Sequence, residues 1–178
     1  MTALPIERPD RPEPRPTAAG LSVVEHPAYK LGRLAPHYDG MAFLEAIRDG
    51  ALPVPPIADL LGFEIRDLAP GEVSFALEPS ERHYNPIGMV HGGVAATLLD
   101  TVMGCAVQTL LPKGVGYSTL DINVRYLRPV TVATHTVVAT GSVVHSGRRT
   151  ATAEGRVVAE DTGQVLATAT CTLLLQRP

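Results

Sequence analysis

Polar and apolar positions along this chain change period twice. Residues 39–49 (DGMAFLEAIRD) place Phe43, Leu44 and Ile47 at helical spacing, which predicts a short helix. LPVPPIADLLGF follows, and its prolines predict an extended turn before another short apolar piece. The period then becomes two. GFEIRDL and EVSFALEP flank Ala69-Pro70-Gly71 and predict a hairpin with Val73, Phe75 and Leu77 on one face. A long apolar segment, Gly92 to Leu111, predicts a helix. Beyond it, residues 115–128, 131–144, 148–159 and 165–175 are Val- and Thr-rich strand candidates. Arg128-Pro129, Ser146-Gly147 and Thr162-Gly163 divide them. The pattern is one long helix among about six antiparallel strands, an α+β class, and one sheet wrapped around that helix satisfies it.

The long apolar segment contains one carboxylate, Asp100. At 100° per residue, Gly93, Ala96, Thr97, Gly104 and Val107 fall within about 60° of it. These are mostly small residues, and they leave room for something to approach the carboxylate. Val94, Leu98, Val102 and Cys105 lie opposite, as a core stripe would. A buried charge needs a partner, and a salt bridge to Arg125 or Arg128 is the structural alternative to a chemical role. Gly92 and Gly93 stand where the helix begins and its first N–H groups lack internal acceptors. Without a side chain at Gly92, a ligand oxygen can approach that N–H, aided by the helix dipole. Such an arrangement suits an acyl carbonyl acquiring negative charge. Asn85, before Pro86, is a turn residue whose amide could also position a water or a carbonyl. His91 is either a general base or a residue that fixes the loop.

Composition adds mostly exclusions. A chain of 178 residues suffices for one sizeable core. Net charge is −3, Trp is absent and aromatic residues are 4%, which argues against a nucleic-acid partner. The 2 cysteines, Cys105 and Cys171, have no metal-like spacing and read as buried free thiols. Gly92–Leu111 approaches membrane-spanning length, but Asp100 and Gln108 make a buried soluble helix the better reading. Residues 1–20, rich in Pro and charge, are expected to be a disordered arm. Residues 21–54 form an extension with a short helix, and 55–178 the main domain.

Asn85-x5-His91-Gly92-Gly93-x6-Asp100, followed by Ser118 and Arg125-Tyr-Leu-Arg-Pro129, resembles the hotdog-fold acyl-CoA thioesterases over roughly residues 55–176. The likeness is to the phenylacetate-pathway type and its 4-hydroxybenzoyl-CoA thioesterase relatives. It implies a sheet wrapped around the helix, with sites at the interface of a homodimer or of a homotetramer built from two dimers. It implies Asp100 as general base or nucleophile and Gly92 N–H on the thioester carbonyl, with Gly93 beside it. Asn85 would come from the opposite subunit to Asp100. Ser118 would orient the attacking water, and His91 would shape the loop. The turn Ser146-Gly147-Arg148-Arg149 fits the position that holds the CoA nucleotide, with Arg125 and Arg128 as further candidates. Some relatives with aromatic acyl substrates carry Glu at the acid position and Thr one turn later, where this chain has Asp100 and Gly104, so the resemblance does not extend to aromatic specificity. The expectation is a cytoplasmic enzyme that hydrolyses an acyl-CoA, with no metal or redox cofactor and no membrane or nucleic-acid partner. Tyr84, Met89 and Met103 are candidates for the acyl pocket. An enoyl-thioester hydratase or dehydratase on the same fold, and a non-catalytic acyl-CoA-binding module, are the alternatives.

Overall fold

The computed structural model describes residues 27–177. The expected arm, residues 1–20, lies outside the described residues. Among the described residues there are four α-helices: α1 (Pro27–Leu34), α2 (Gly40–Arg48), α3 (Pro56–Leu61) and α4 (Gly92–Gln108). The strands among the described residues are β1 (Phe63–Ala69), β2 (Glu72–Leu77), β3 (Gly116–Tyr126), β4 (Val137–Ser146), β5 (Thr150–Ala159) and β6 (Val165–Gln176). They form one antiparallel sheet in the order β1-β2-β4-β5-β6-β3. Helix α4 packs across its concave face, against β4, β5 and β2 most extensively. This is the hotdog fold. Among the described residues, no helix is long and apolar enough to cross a membrane.

Alternation dictates which side chains reach the helix. Val73, Phe75 and Leu77 of β2 are all buried, and so are Ala167, Ala169, Cys171, Leu173 and Leu175 of β6. On α4, Leu98, Leu99, Val102, Met103, Ala106 and Val107 are at most 1% exposed. The core stripe is therefore turned relative to the one expected from the sequence. Leu99 and Ala106 lie at its centre, and Cys105 is only half-buried. Met103 is a core residue with no exposure, so it is unavailable to line an acyl pocket.

Two boundaries differ from the sequence pattern. The strand expected over 131–144 starts at Val137. Val132–Thr134 instead form a 3-10 turn, because the Thr134 hydroxyl accepts from Thr131 N–H and closes it. In β3, the pairing with β6 shifts between Thr119 and Asp121, leaving Leu120 as a bulge.

The N-terminal segment is part of the core. Asp39 caps α2 by accepting from Ala42 N–H at 3.0 Å. The Gly40 N–H donates to Leu111 O at 2.9 Å. A Cβ at Gly40 would lie 1.6 Å from Gln108 O, so only glycine lets α2 approach the end of α4 this closely. Leu44 joins the main core, while Leu31, Ile47 and Leu52 make a small second cluster.

Candidate active site

Asp100 is half-buried on the face of α4 that looks toward β3. The Thr119 hydroxyl donates to its Oδ1 at 2.9 Å. The salt bridge expected as the structural alternative is absent. Arg125 stands opposite Thr168, on the outer face of the sheet, and lines a polar groove with Glu72, Glu154 and Arg156. The Arg128 guanidinium donates to Val165 O at 2.6 Å. Among the described residues, the ion pairs are Arg48–Asp49 and Arg66–Glu160, and Asp100 has no cationic partner.

Two neighbours of Asp100 are held neutral. Burial, and secondarily the Asp100 charge, pushes the Cys105 thiol up to about 12. Tyr117 lies against Gly104, where a Cβ would meet its hydroxyl at 2.5 Å. Burial, then Cys105 and Asp100, holds its phenol well above the usual value. The space expected over the small-residue face is thus filled at Gly104 by the protein itself.

The start of α4 is built by the three residues His91, Gly92 and Gly93. His91 is the N-cap, and its Nδ1 accepts from Gly93 N–H at 2.9 Å. A Cβ at Gly93 would sit 2.9 Å from that same nitrogen, so the cap requires glycine there. Gly93 therefore spends its N–H on the cap and does not present it to a ligand. Tyr126 lies over Gly92, with ring atoms 3.2–3.3 Å from where its Cβ would be. The Tyr126 hydroxyl donates to Gly92 O at 3.1 Å. Among the described residues, no group accepts from Gly92 N–H.

That N–H borders a cavity of about 430 Å³ lined by Asn85, Met89, Gly92, Tyr126 and Arg128, among others. Asn85 Oδ1 accepts from Ile87 N–H at 3.0 Å and Met89 N–H at 3.3 Å, which shapes the turn and leaves its amide nitrogen available. The Tyr84 hydroxyl accepts from Val132 N–H at 2.9 Å and ties this loop to the 3-10 turn, and the residue borders a groove beside Gly93 and Thr97.

Ser118 does not meet Asp100 within its own chain. It lies on the opposite face of β3 from Thr119, and its hydroxyl accepts from Gln176 Nε2 at 2.6 Å. Ser146-Gly147-Arg148-Arg149 forms the turn between β4 and β5, closed by Gly147 N–H on Thr150 O at 2.9 Å. Arg148 and Arg149 are exposed. Ala151 pairs with Leu173 and Leu173 with Thr119, so this turn lies at the Asp100 end of the sheet, two strands or about 10 Å across.

Thr119, Tyr117 and Tyr126 were not singled out from the sequence. Alternation does put Tyr117 and Thr119 on one face, but the bulge at Leu120 breaks the count before Tyr126. Among the described residues, no group of three or more His, Cys, Asp or Glu is arranged to hold a metal ion.

The arrangement offers an unpaired carboxylate steadied by one hydroxyl and a free helix-end N–H at an apolar cavity. Comparison with known proteins agrees with that chemistry. The model of the thioesterase superfamily matches residues 87–166. A candidate esterase of Halobacterium salinarum is 40% identical over 107 residues, 57% of this chain and 69% of the relative. Human acyl-coenzyme A thioesterase 13 is 30% identical over 99 residues, 56% of this chain and 69% of its own length. The solved structure of a phenylacetic acid degradation-related protein of Ralstonia eutropha, a candidate thioesterase, has a TM-score of 0.67. It is 28% identical and covers 74% of this chain and 98% of its own. The chain belongs to the thioesterase superfamily, and it is a thioester hydrolase of the hotdog fold.

Proposed function

We propose that this protein hydrolyses acyl-CoA thioesters to a carboxylic acid and CoA, at a site assembled from two copies of the chain. The observation that carries this reading is a separation. Gly92 and Asp100 are eight residues apart on one straight helix, about 12 Å along its axis. One thioester carbonyl cannot touch both groups in a single copy. Asn85 and Gly92 line the same cavity, so one copy supplies these two, and the other supplies Asp100 with Thr119. Strand β3 ends the sheet, and Leu120, Ile122, Tyr126 and Leu127 are exposed along or beside it. An open edge carrying apolar side chains suits pairing with a second copy.

In the assembled site, the Gly92 N–H donates to the thioester carbonyl oxygen and stabilises the charge that grows there. Asp100 accepts a proton from water as the water attacks the carbonyl carbon. The tetrahedral intermediate expels the CoA thiolate, which takes up that proton. Direct attack by Asp100, giving a mixed anhydride that water opens, uses the same groups. Thr119 holds the carboxylate in place for either route. The nucleotide phosphates of CoA are assigned to Arg148 and Arg149. Acyl-CoA as substrate is supported by the name of the human relative. No cofactor beyond the CoA of the substrate is called for.

Subunit complementation tests the shared site. Asp100→Asn and Asn85→Ala copies, each nearly inactive alone, are co-expressed with different tags and purified as mixed dimers. One of the two sites is then free of both changes, and turnover should recover to about half of wild type per dimer. A mixed dimer as inactive as its parents would place both groups in one copy.

A further inference from the structure

Strand β3 brings one side chain to each of the two groups on α4 that bear on the chemistry. The Thr119 hydroxyl reaches Asp100, and the Tyr126 hydroxyl reaches Gly92 O. These two residues are seven positions apart, and a regular strand would point them to opposite faces. The bulge at Leu120 moves the alternation by one residue. Ile122, Val124 and Tyr126 then pair with Cys171, Ala169 and Ala167, which are buried on the helix side of β6. Beyond Tyr126, Leu127 N–H and Arg128 N–H both donate to Leu166 O, at 2.8 and 3.1 Å, so its backbone is held from both directions.

Of the two peptide groups that flank Gly92, nearly every polar atom is engaged. In the peptide joining Gly92 to Gly93, the carbonyl accepts from the Tyr126 hydroxyl at 3.1 Å. The N–H of that same peptide donates to His91 Nδ1 at 2.9 Å. In the peptide joining His91 to Gly92, the carbonyl accepts from Val94 N–H at 2.9 Å. The fourth group, Gly92 N–H, has no acceptor among the described residues. Glycine does little to restrict its own dihedrals, and the first N–H groups of a helix lack the internal bonds that fix later turns. The direction of the Gly92 N–H therefore depends on how firmly its neighbouring peptides are held. His91 holds the Gly92–Gly93 peptide from within the cap, and Tyr126 holds it from the sheet. Tyr126 is 57% exposed and lines the same cavity as Asn85 and Gly92.

We propose that Tyr126 is a positioning residue for thioester hydrolysis: by holding the Gly92–Gly93 peptide, its hydroxyl aims the Gly92 N–H at the substrate carbonyl oxygen. This rests on the role given to Gly92 above. The hydroxyl touches no reacting atom and acts only through the backbone. A donor aimed in advance favours the charged oxygen of the transition state over the neutral carbonyl of the ground state. Losing such a donor outright costs about 10²–10³-fold in kcat, so loosening it while the N–H remains should cost about tenfold.

The test compares wild type with Tyr126→Phe, which keeps the ring and loses the hydroxyl. A panel of acyl-CoAs from acetyl to palmitoyl, with benzoyl-CoA, first identifies the best thioester by thiol release. On that thioester, Tyr126→Phe should lower kcat about tenfold and leave KM within about twofold. Melting temperature, and mass by light scattering, should match wild type. Infrared difference spectra then read the hydrogen bond itself. The same thioester, labelled with carbon-13 at its carbonyl, is bound to the slow variant Asp100→Asn. Its carbonyl stretch should lie below that of the free thioester, and adding Tyr126→Phe should give back part of the lowering. Unchanged kcat in Tyr126→Phe, or a loss confined to KM, overturns the proposal. So does a lowered stretch that Tyr126→Phe leaves as it was, and that result keeps the Gly92 contact. A thioester that binds Asp100→Asn with no lowering at all overturns the Gly92 contact, and the role of Tyr126 with it.

Discussion

Removing the Thr119 hydroxyl while leaving Ser118 intact separates two neighbouring residues that the strand places on opposite faces. Thr119 donates to the Asp100 carboxylate at 2.9 Å, whereas Ser118 accepts from the neutral amide of Gln176 at 2.6 Å. A hydrogen bond to a charged group contributes about 1.5–3 kcal/mol, and Thr119 is exposed, so the lower figure applies. At about 1.4 kcal/mol per decade, Thr119→Ala should reduce kcat roughly tenfold. KM should hardly change, because the hydroxyl steadies the carboxylate and not the bound CoA. Thr119→Ser keeps the donor and should recover most of the loss. Ser118→Ala removes only an exposed contact to an amide and should stay within about twofold of wild type. The assay is thiol release from the best acyl-CoA of the panel, with melting curves for all variants. Equal losses for Ser118→Ala and Thr119→Ala, or a larger loss for Ser118→Ala, would refute the pairing of Thr119 with Asp100. A larger loss at Ser118 would also mean that the second copy reorganises this end of β3.

Asp100→Asn should lower turnover at least 100-fold with little change in melting temperature, since no cationic partner is left unpaired; thermal melts beside kinetics check both halves. His91→Ala removes the cap on α4 and should cost about 1 kcal/mol, seen as a melting temperature about 2–4 °C lower. His91→Asn can still cap, so it should regain most of the stability and turnover; stability regained without turnover would give the imidazole a chemical role. Changing Arg148 and Arg149 together to Ala should raise KM with kcat nearly intact, and added salt should narrow the gap; a truncated thioester lacking the nucleotide should be hardly affected. Cys105 and Cys171, pushed up by burial to about 12 and about 11, should resist alkylation at pH 8 in the folded protein. Because their folded values are raised, the stability they contribute is fully present below pH 9 and declines as pH rises toward 11–12, measurable by denaturant titration.

Local pattern was enough for the six strands, for α2 and for α4 with Asp100 on it, while α1 (Pro27–Leu34) carried no sequence signal that was read. A period of two in EVSFALEP and a long apolar run from Gly92 are properties of neighbouring residues, so β2 and α4 could be read directly. The placement of Asp100 on a helix led by two glycines was legible for the same reason. Even the separation of Gly92 from Asp100 follows from helical rise alone. Tertiary structure decided what those groups meet. The bulge at Leu120 lets β3 stay paired with β6 and sets Thr119, not Ser118, against the carboxylate. Arg125 and Arg128 were plausible partners for Asp100 by charge, but the strand's facing turns one outward and a backbone carbonyl holds the other. The rotation of α4 depends on fitting its side chains into an Ala-rich sheet, and that fit turned Cys105 toward α2 and α3. The position of those helices rests on Gly40 meeting Leu111, two residues far apart in sequence. Periodicity records which face of an element is apolar. Close packing between distant segments selects which residue on that face touches which, and the sequence alone carries no local mark of it.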